Sequence, residues 1–552
     1  MYIQYMRIKN YRNFEDVEMT FHRRANYLVG ENAIGKSGFL RLLSLLSGGA
    51  VITEQDYRDA AKPIVIYCSL RLLENETEYF ADSPAHHRQE IIIRLEKRVD
   101  ELFPRLYDES TGERLSIDSI RRVRYVSNEP AHDCEDDVPA RVYRELEELL
   151  CTYGQMDLGA LTPEIKEFIR HEEEVGAYDS AYYIDIFILS HLFSREDLPR
   201  ADNIKFISLV ALKLLTQIYM MAKSRAVPLE HTLIVDAGGR RFLPLFVSFD
   251  EPEVHLHPYM QRGVLQYLKS ILNNEDEVFT ALLKGLFGID GLRGQIFVVT
   301  HSTDSLVDDY RNIIRFYRAS HSPVQAACGA TFHFDGELEK HLIMHFPEVK
   351  EALYSRSVII VEGESEYGCF RLFGETLGIP FDYYGICLIN ARGESSISKI
   401  RKLLRYFKIP TVSLYDADVK GNKEAEKYVF FTDEICFEMD IVKTLLQQDK
   451  RKLLNAITDS AVGEHARATA DMLKKACRKL NLNYHDYPPR LLWNVNPRNT
   501  AQQEVYYFAW LYSNKGVILG RVIGQLLGRR EIPPSFVRII RAAGYLAKVT
   551  GR

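Results

Sequence analysis

The chain has 552 residues, of which 46% are apolar and 26% charged, and its formal net charge is −6. Because this length exceeds one ordinary hydrophobic core, we expect a soluble globular protein with two or more domains. The net negative charge excludes a protein that is basic over its whole surface, but it is compatible with a local basic groove that binds phosphate.

The N-terminus and the cysteines predict a cytoplasmic protein. The first ten residues lack the charged and then apolar layout of a signal peptide. The apolar run that starts at Val517 is interrupted by Arg521, so it does not reach the length that spans a bilayer. The eight cysteines are scattered and form no Cys-x-x-Cys pair, which is typical of reduced thiols. We therefore expect no membrane partner.

The first motif is a glycine-rich loop at residues 30–37, which reads Gly-Glu-Asn-Ala-Ile-Gly-Lys-Ser. An apolar strand is predicted just before it, at residues 25–29, and a helix just after it, at residues 38–46. Strand, loop and helix in this order are the pattern of a phosphate-binding loop.

Each position of this loop has a chemical reason. Gly30 and Gly35 allow backbone N–H groups to surround a phosphate, and the helix N-terminus adds its positive dipole end. Lys36 would reach the β- and γ-phosphates, while the Ser37 hydroxyl would bind Mg²⁺. We therefore predict that the loop, including Asn32, binds ATP.

A second strand end supplies the acidic residues that an ATPase needs. The apolar run at 245–249 is followed directly by Asp250 and Glu251. Asp250 would hold the Mg²⁺ ion, and Glu251 would polarise the attacking water. A third predicted strand, 295–300, ends at His301. A histidine in such a place is more often structural, but beside these two motifs it is expected to sense the γ-phosphate.

Three stretches of the first half extend these motifs. They read Ile-Lys-Asn-Tyr-Arg-Asn-Phe at 8–14, Phe-Asp-Glu-Pro-Glu-Val-His-Leu-His-Pro at 249–258, and Thr-His-Ser at 300–302. They resemble the ABC-type ATPase heads of the SMC and RecF kind that occur in OLD (overcoming lysogenization defect) proteins. Such heads bind ATP between two subunits, with a signature loop from the partner. The chain has no Leu-Ser-Gly-Gly-Gln-like segment, and the best remnant, 202–209, lacks the glycines. The resemblance therefore implies ATP binding without efficient turnover.

A long insertion separates the two ATPase motifs. Residues 142–150 and 162–169 have apolar residues at helical spacing with charged faces between them, and residues 182–190 are too apolar for one exposed helix. One interpretation is a helical subdomain, at about 140–200, that packs on its own ATPase core. The other is a dimerisation arm, which the resemblance favours.

Apolar strands of the second half end in carboxylates. One predicted strand leads into Glu362, with Glu366 four residues later, and another leads into Asp416 and Asp418. Strands that alternate with helices at this spacing predict a parallel sheet, whose ligand sites lie at the carboxyl ends of its strands. Clustered carboxylates bind hard cations such as Mg²⁺ or Mn²⁺. The alternative for each stretch is a solvated acidic turn.

This combination resembles the Toprim domain of topoisomerases, primases and OLD nucleases. In that domain a strand-end glutamate and an Asp-x-Asp coordinate metal, and the OLD version adds further acids and a lysine. The matching positions are Glu362, Asp416 and Asp418, and then Glu366, Glu438 and Lys515. Asp440 is a weaker alternative to Glu438. The implied mechanism is two-metal hydrolysis of a phosphodiester bond, with Lys515 neutralising charge on the phosphate.

Basic residues near these acids are candidates for contacts with a nucleic-acid backbone. Four of them fall on a helix predicted to end at residue 407: Lys399, Arg401, Lys402 and Arg405. Phosphate contacts carry no sequence preference, so the preferred DNA sequence is not predicted. Residues 441–500, which are polar and contain a Pro-Pro pair, are predicted to form a helical insertion or lid.

The predicted class is α/β: an ABC-type P-loop ATPase domain at 1–347 with an inserted helical dimerisation arm, and then a Toprim domain at 348–552 with a Rossmann-like parallel sheet. The resemblance implies an ATP-regulated, Mg²⁺- or Mn²⁺-dependent DNA endonuclease that acts in phage defence or DNA repair. Its expected partners are DNA and further copies of the chain, in a homodimer or higher oligomer, with a separate partner protein left open.

Two alternatives have different chemistry. One is a non-cleaving, ATP-driven DNA clamp or sensor, in which the acids of the second half are structural or bind a partner. The other is a topoisomerase- or primase-like activity. It is disfavoured because the sequence contains no recognisable transesterifying-tyrosine domain and no primase zinc module.

Overall fold

A computed structural model describes most of the chain. The described residues are 1–47, 51–73, 76, 89–116, 124–128, 214–215, 217–218, 221–222, 229–252, 258–304, 306, 309–319, 322–422 and 426–550. The predicted arm at 140–200 and the signature remnant at 202–209 lie outside the described residues, as do residues 253–257 of the second ATPase motif.

The chain divides into two compact units. The first contains Met1–Tyr317 and Pro323–Phe332, and the second contains Arg318–Ser322 and His333–Arg552. The predicted domain boundary, after residue 347, falls inside a helix of the second unit, Phe346–Tyr354. Among the described residues, no helix combines the length and the apolar character needed to cross a membrane.

The described residues of the first unit form two sheets. In chain order, its strands are β1 (Tyr2–Tyr11), β2 (Phe14–Thr20), β3 (Ala25–Val29), β4 (Ile64–Arg71), β5 (Glu90–Lys97), β6 (Arg105–Asp108), β7 (Arg124–Asn128), β8 (Ile234–Val235), β9 (Arg241–Asp250), β10 (Gly291–Val299), β11 (Ile313–Tyr317) and β12 (Gln325–Cys328). Its helices are α1 (Lys36–Leu46), α2 (Pro258–Leu272) and α3 (Glu277–Phe287).

One sheet is antiparallel, with the order β2-β1-β4-β5-β6. Burial alternates along β5, where Ile91, Ile93 and Leu95 are buried and their neighbours are half-exposed. Because successive side chains of a strand point to opposite faces, this alternation sets one apolar face against the core.

The other sheet is mostly parallel, with the order β12-β11-β3-β10-β9-β7 and β8 paired to β9. β3, β10 and β9 run parallel and adjacent, so their carboxyl ends lie at one edge. All five residues of β3 are buried, as expected of a strand covered on both faces. The predicted strands at 25–29, 245–249 and 295–300 are confirmed.

The second unit contains a parallel four-stranded sheet with the order β14-β13-β15-β16. Its strands are β13 (Ser357–Val361), β14 (Ile386–Asn390), β15 (Thr411–Tyr415), β16 (Val429–Phe431), β17 (Arg467–Ala468) and β18 (Arg490–Leu491). Its helices are α4 (Gly336–Met344), α5 (Phe346–Tyr354), α6 (Glu364–Leu377), α7 (Phe381–Tyr384), α8 (Glu394–Tyr406), α9 (Phe437–Gln447), α10 (Arg451–Val462), α11 (Ala470–Leu480), α12 (Thr500–Ser513), α13 (Val517–Leu526) and α14 (Pro534–Thr550). The predicted α/β class with parallel sheets is confirmed.

A single apolar core joins this sheet to the helices that follow it. Ile359 and Val361 of β13 are buried in the same cluster as Phe437 of α9, Tyr506 of α12 and Phe536 of α14. The segment 441–500 contains α10 and α11 and also a two-stranded antiparallel sheet, β17 with β18. The predicted helical insertion therefore contains a small sheet as well.

Candidate functional site

The glycine-rich loop joins β3 to α1, and its backbone needs glycine. Gly30 has φ 141°, and a Cβ at this position would lie 2.5 Å from the backbone oxygen of Phe316. Any side chain would force the loop away from this neighbour. The Lys36 side chain is buried, and its Nζ donates to the backbone oxygens of Gly30, at 2.9 Å, and Glu31, at 2.8 Å.

A cavity of about 800 Å³ opens beside this loop. The predicted site residues among its lining are Asn32, Gly35, Lys36, Ser37, Glu251 and His301. The structure thus brings together residues from the loop, from the end of β9 and from the end of β10. Asp250 ends β9 opposite Val299 of β10, which places it at the same edge of the sheet.

Glu251 has an unusual backbone. Its φ is 50°, a left-handed conformation that costs energy for a residue with a side chain, and its N–H donates to the Val299 oxygen at 2.8 Å. This turn directs the side chain toward His301, whose Nε2 lies 3.4 Å from Oε1 of Glu251. Strain of this kind is concentrated at functional sites, which agrees with the prediction that both residues act on a nucleotide.

The same cavity has lining residues that the sequence did not identify as site residues. They include Arg12, Asn13 and Arg58. Arg12 donates from Nε to Oδ1 of the buried Asp56 at 2.7 Å. Burial opposes ionisation of Asp56, but hydrogen bonds from Thr53 and Arg12 hold its pKa below the ordinary value. The cation is thereby fixed at the cavity wall, a placement that depends on tertiary contacts and has no signal in the linear motif.

The acidic site of the second unit lies at the carboxyl ends of β13 and β15, which are parallel neighbours. Glu362 follows β13, and the backbone N–H of Asp416, which follows β15, hydrogen-bonds to its carboxylate. Burial and the nearby Asp418 raise the pKa of Glu362. Its Oε2 is buried and has no hydrogen-bond partner among the described residues. A buried carboxylate oxygen without a donor is costly, and it is available to bind a cation.

Two more carboxylates of this site have strongly raised pKa values. Burial, followed by the charges of Glu438 and Asp416, raises the pKa of Glu366 to about 8. Burial, followed by the charges of Glu362 and Glu438, raises the pKa of Asp416 to about 7. Oδ1 of Asp416 also accepts the backbone N–H of Phe437, at the start of α9, at 3.2 Å. Burial and the neighbouring carboxylates together disfavour ionisation of these two acids.

Glu438 and Asp440 on α9 have different surroundings. Glu438 is buried, and its Oε2 lies 3.1 Å from Nζ of Lys515. Asp440 accepts the backbone N–H groups of Asp433 and Glu434 and the hydroxyl of Ser535. Asp440 therefore closes a turn, which agrees with the preference for Glu438.

Lys515 is placed by a close approach of two helices. α6 and α13 meet at glycine, where a Cβ on Gly520 would lie 2.1 Å from the backbone oxygen of Ser365. The Ser365 hydroxyl accepts the N–H of Gly516, at 3.2 Å, just after Lys515. This packing holds the lysine next to the acids of α6 and α9. The charge of Glu438 raises the pKa of Lys515, although burial opposes it.

A second lysine, which the sequence did not identify, also reaches the acidic site. Nζ of Lys479, on α11, lies 2.5 Å from Oδ2 of Asp418.

By contrast, the four basic residues of α8 are engaged in ion pairs with other acids. Lys399 pairs with Glu337, Lys402 with Asp335, and Arg401 and Arg405 with Glu426. The backbone-binding role expected of α8 therefore competes with these pairs.

The donor set of the acidic site fits a hard divalent cation. Carboxylate oxygens are the ligands that Mg²⁺ and Mn²⁺ prefer, and Glu362 has a buried oxygen without a protein donor. Among the described residues, no three His, Cys, Asp or Glu side chains converge closely enough to enclose a metal by themselves. Mg²⁺ commonly keeps several water ligands, so it needs fewer protein ligands than an all-protein cage supplies.

Comparison with known families assigns both regions. Residues 353–418 match the TOPRIM domain of the overcoming lysogenization defect protein-like family, and residues 1–118 match an AAA ATPase domain. The chain carries an AAA ATPase domain followed by an OLD-like TOPRIM domain. The TOPRIM match includes Glu362, Glu366, Asp416 and Asp418, and the ATPase match includes the glycine-rich loop. Both predicted domain types are thereby confirmed.

Curated relatives match a short part of the chain. The chain is 38% identical over 47 residues to the DNA replication and repair protein RecF of Bacillus cytotoxicus and to that of Bacillus thuringiensis. This stretch is 8% of the chain and spans 13% and 12% of the length of the two relatives.

Several solved structures align with part of the chain. An Smc head bound to the C-terminal winged-helix domain of ScpA aligns with 59% of this chain and 97% of its own, at 13% identity and a TM-score of 0.33. The C-terminal region of the Burkholderia pseudomallei OLD protein aligns with 35% of this chain and 99% of its own, at 14% identity and a TM-score of 0.25. The C-terminal region of the Xanthomonas campestris OLD protein aligns with 36% of this chain and 97% of its own, at 19% identity and a TM-score of 0.26.

Proposed function

We propose that this chain is a divalent-metal-dependent DNA endonuclease whose cleavage is regulated by ATP. The observation that carries the proposal is the buried, unpartnered oxygen of Glu362 inside the OLD-like TOPRIM domain, surrounded by further carboxylates and beside Lys515. Such a group of acids is expensive to bury without a cation, and phosphodiester hydrolysis is chemistry for which the cation is useful.

In this proposal five carboxylates hold Mg²⁺ or Mn²⁺: Glu362, Glu366, Asp416, Asp418 and Glu438. Bound cations lower the pKa of a water molecule and stabilise the attacking and leaving oxygens of the phosphate. Glu366 and Asp416, whose pKa values are raised to about 8 and about 7, would have to be deprotonated to hold these cations. Lys515 neutralises the charge that develops on the phosphate.

The ATPase domain binds ATP through its own set of residues. Lys36 leaves the loop oxygens that it contacts and binds the β- and γ-phosphates, while Ser37 and Asp250 hold the Mg²⁺ ion. Glu251 orients the attacking water and His301 senses the γ-phosphate. ATP binding between two copies of the chain then controls access of DNA to the TOPRIM site. Such an enzyme suits phage defence or DNA repair in the cytoplasm.

Supercoiled plasmid DNA provides the test. We expect Mn²⁺ or Mg²⁺ to support nicking by the full chain, and Asp416→Ala to abolish it. Asp382→Ala, which removes an exposed acid of the same unit, is the matched control and should cut normally. A change in nicking on adding ATP, lost in Lys36→Ala, supports regulation. Absence of cleavage by folded protein with every metal supports the ATP-driven clamp instead.

A further inference from the structure

Lys479 contacts the acidic site from outside its sheet. The residue lies in the last turn of α11 and is separated from Asp418 by 61 positions, yet the two side chains form an ion pair of 2.5 Å. Both partners are shielded, since 28% of the lysine side chain and 32% of the aspartate side chain are exposed. The pair is therefore screened by solvent less than an open surface pair.

The position of this ion pair is unusual for one that serves stability alone. Asp418 follows β15 together with Asp416, and under the proposed function its oxygens are needed for a metal. Lys515 and Lys479 supply two positive charges to five carboxylates: Glu362, Glu366, Asp416, Asp418 and Glu438. A divalent cation carries twice the charge of the ammonium, so it gains more from Asp418 and the neighbouring carboxylates than the lysine does.

The simpler explanation is that the pair fastens α11 to the turn that follows β15. A lysine in the last turn of a helix is favourable in any case, because it faces the negative end of the helix dipole. α11 also has other anchors, since Leu473, Ala476 and Cys477 are buried in the core of the second unit. These three residues hold the helix as far as Cys477, so loss of the ion pair would loosen only the end of the helix beyond Cys477.

We propose that Lys479 is a resident cation of the acidic site, which a divalent metal ion displaces from Asp418. The inference rests on the proposed function, because it takes Asp418 to be a metal ligand. Displacement follows from charge: a metal ion at Asp418 repels the ammonium, and the flexible lysine stem allows the head group to leave. When metal binds, the last turn of α11 loses its contact with Asp418. The mobility of this end of the helix, within the segment 441–500, therefore depends on whether the carboxylates hold metal.

Calorimetric titration of the full chain with MnCl₂ tests this competition. In Lys479→Gln the metal no longer has to displace an ammonium, so we expect Mn²⁺ to bind about fivefold more tightly than to the unmodified protein. Lys475→Gln is the matched control, because Lys475 is an exposed cation one turn earlier on the same helix. It should leave Mn²⁺ affinity unchanged. Lys479→Arg keeps the positive charge and should not tighten binding.

Amide hydrogen exchange gives a second measurement that needs no variant. In the unmodified protein, Mn²⁺ should increase exchange in the last turn of α11, while the first turn should not change. Unaltered exchange there, or Mn²⁺ affinity in Lys479→Gln that is equal to or weaker than that of the unmodified protein, overturns the displacement and leaves only a stabilising ion pair.

The two proposals fail in different ways. If the unmodified protein binds Mn²⁺ and nicks DNA but Lys479→Gln binds no tighter, the displacement is wrong and the endonuclease stands. If neither protein binds Mn²⁺, the metal site itself is refuted, and the proposed function is refuted with it.

Discussion

The cavity beside the glycine-rich loop and the acidic site of the second unit differ in the sign of the charges that line them and in how those charges are paired. The cavity beside the glycine-rich loop is preformed, and its cations are already held, Lys36 by loop oxygens and Arg12 by Asp56. The acidic site has accumulated carboxylates, one of which has an unsatisfied oxygen, and two lysines offset them only in part. The first site thus presents fixed cations, whereas the second presents carboxylates that under the proposed function bind cations.

The largest effect is expected when a carboxylate of the acidic site is removed. Asp416→Ala is expected to lower metal-dependent cleavage by about a hundredfold or more, because the Asp416 carboxylate interacts with those of both Glu362 and Glu438. Initial rates of plasmid nicking measure the effect. Cleavage at the normal rate would show that the acids are structural.

A smaller loss is expected at the nucleotide cavity. Lys36→Ala removes a buried cation that would contact phosphate, so ATP affinity should fall about 30-fold. Titration with a fluorescent ATP analogue measures it. Lys62→Ala, an exposed lysine of the same unit, is the control. Equal loss in both variants would contradict a specific role for the loop.

The packing that holds Lys515 can be tested without DNA or metal. Gly520→Ala puts a Cβ 2.1 Å from the Ser365 oxygen, so it should lower the free energy of unfolding by about 2 kcal/mol. Gly336→Ala is the control, because no atom lies within 4 Å of its added Cβ. Urea denaturation followed by circular dichroism compares them. Equal stability of the two variants would mean that α6 and α13 can separate freely.

The smallest expected effect is a dependence on pH. Between the ordinary carboxyl pKa and the raised values of about 8 for Glu366 and about 7 for Asp416, the folded protein holds protons that the unfolded chain has released. Metal-free protein should therefore lose stability as the pH rises from the ordinary carboxyl pKa to about 8, and lose little more above it.

Thermal melts with EDTA measure this slope. Glu366→Gln should flatten it, because the amide cannot ionise, and Mn²⁺ at about pH 8 should restore the melting temperature. A slope that is the same in the variant would indicate that other groups control the pH dependence.

Features formed by neighbouring residues could be predicted from the sequence, whereas contacts between distant residues could not. The glycine-rich loop is contiguous, so its residues and its flanking strand and helix were predictable from one stretch. Glu362 and Asp416 were predictable because each follows an apolar strand, and parallel strands end at one edge. Lys479 could not be predicted, since 61 residues separate it from Asp418 and only the packing of α11 joins them.

The ion pairs of the structure could not be predicted from the sequence either. The basic row on α8 suggested free cations, whereas the structure pairs Arg401 and Arg405 with Glu426 and Lys399 with Glu337. Glu251 was expected at the end of its strand, but its left-handed φ of 50° depends on the register of β9 against β10. Tertiary pairing and backbone strain have no linear signature, which limits what the sequence can predict.

Anomalous scattering from Mn²⁺ in crystals of the full chain tests the central claim most directly, namely that the acidic site is completed by cations. The account predicts an anomalous peak among Glu362, Asp416 and Asp418, with Lys479 turned away from Asp418. Crystals soaked in Mn²⁺ that show no peak at these carboxylates, with the Lys479 ion pair intact, would contradict it.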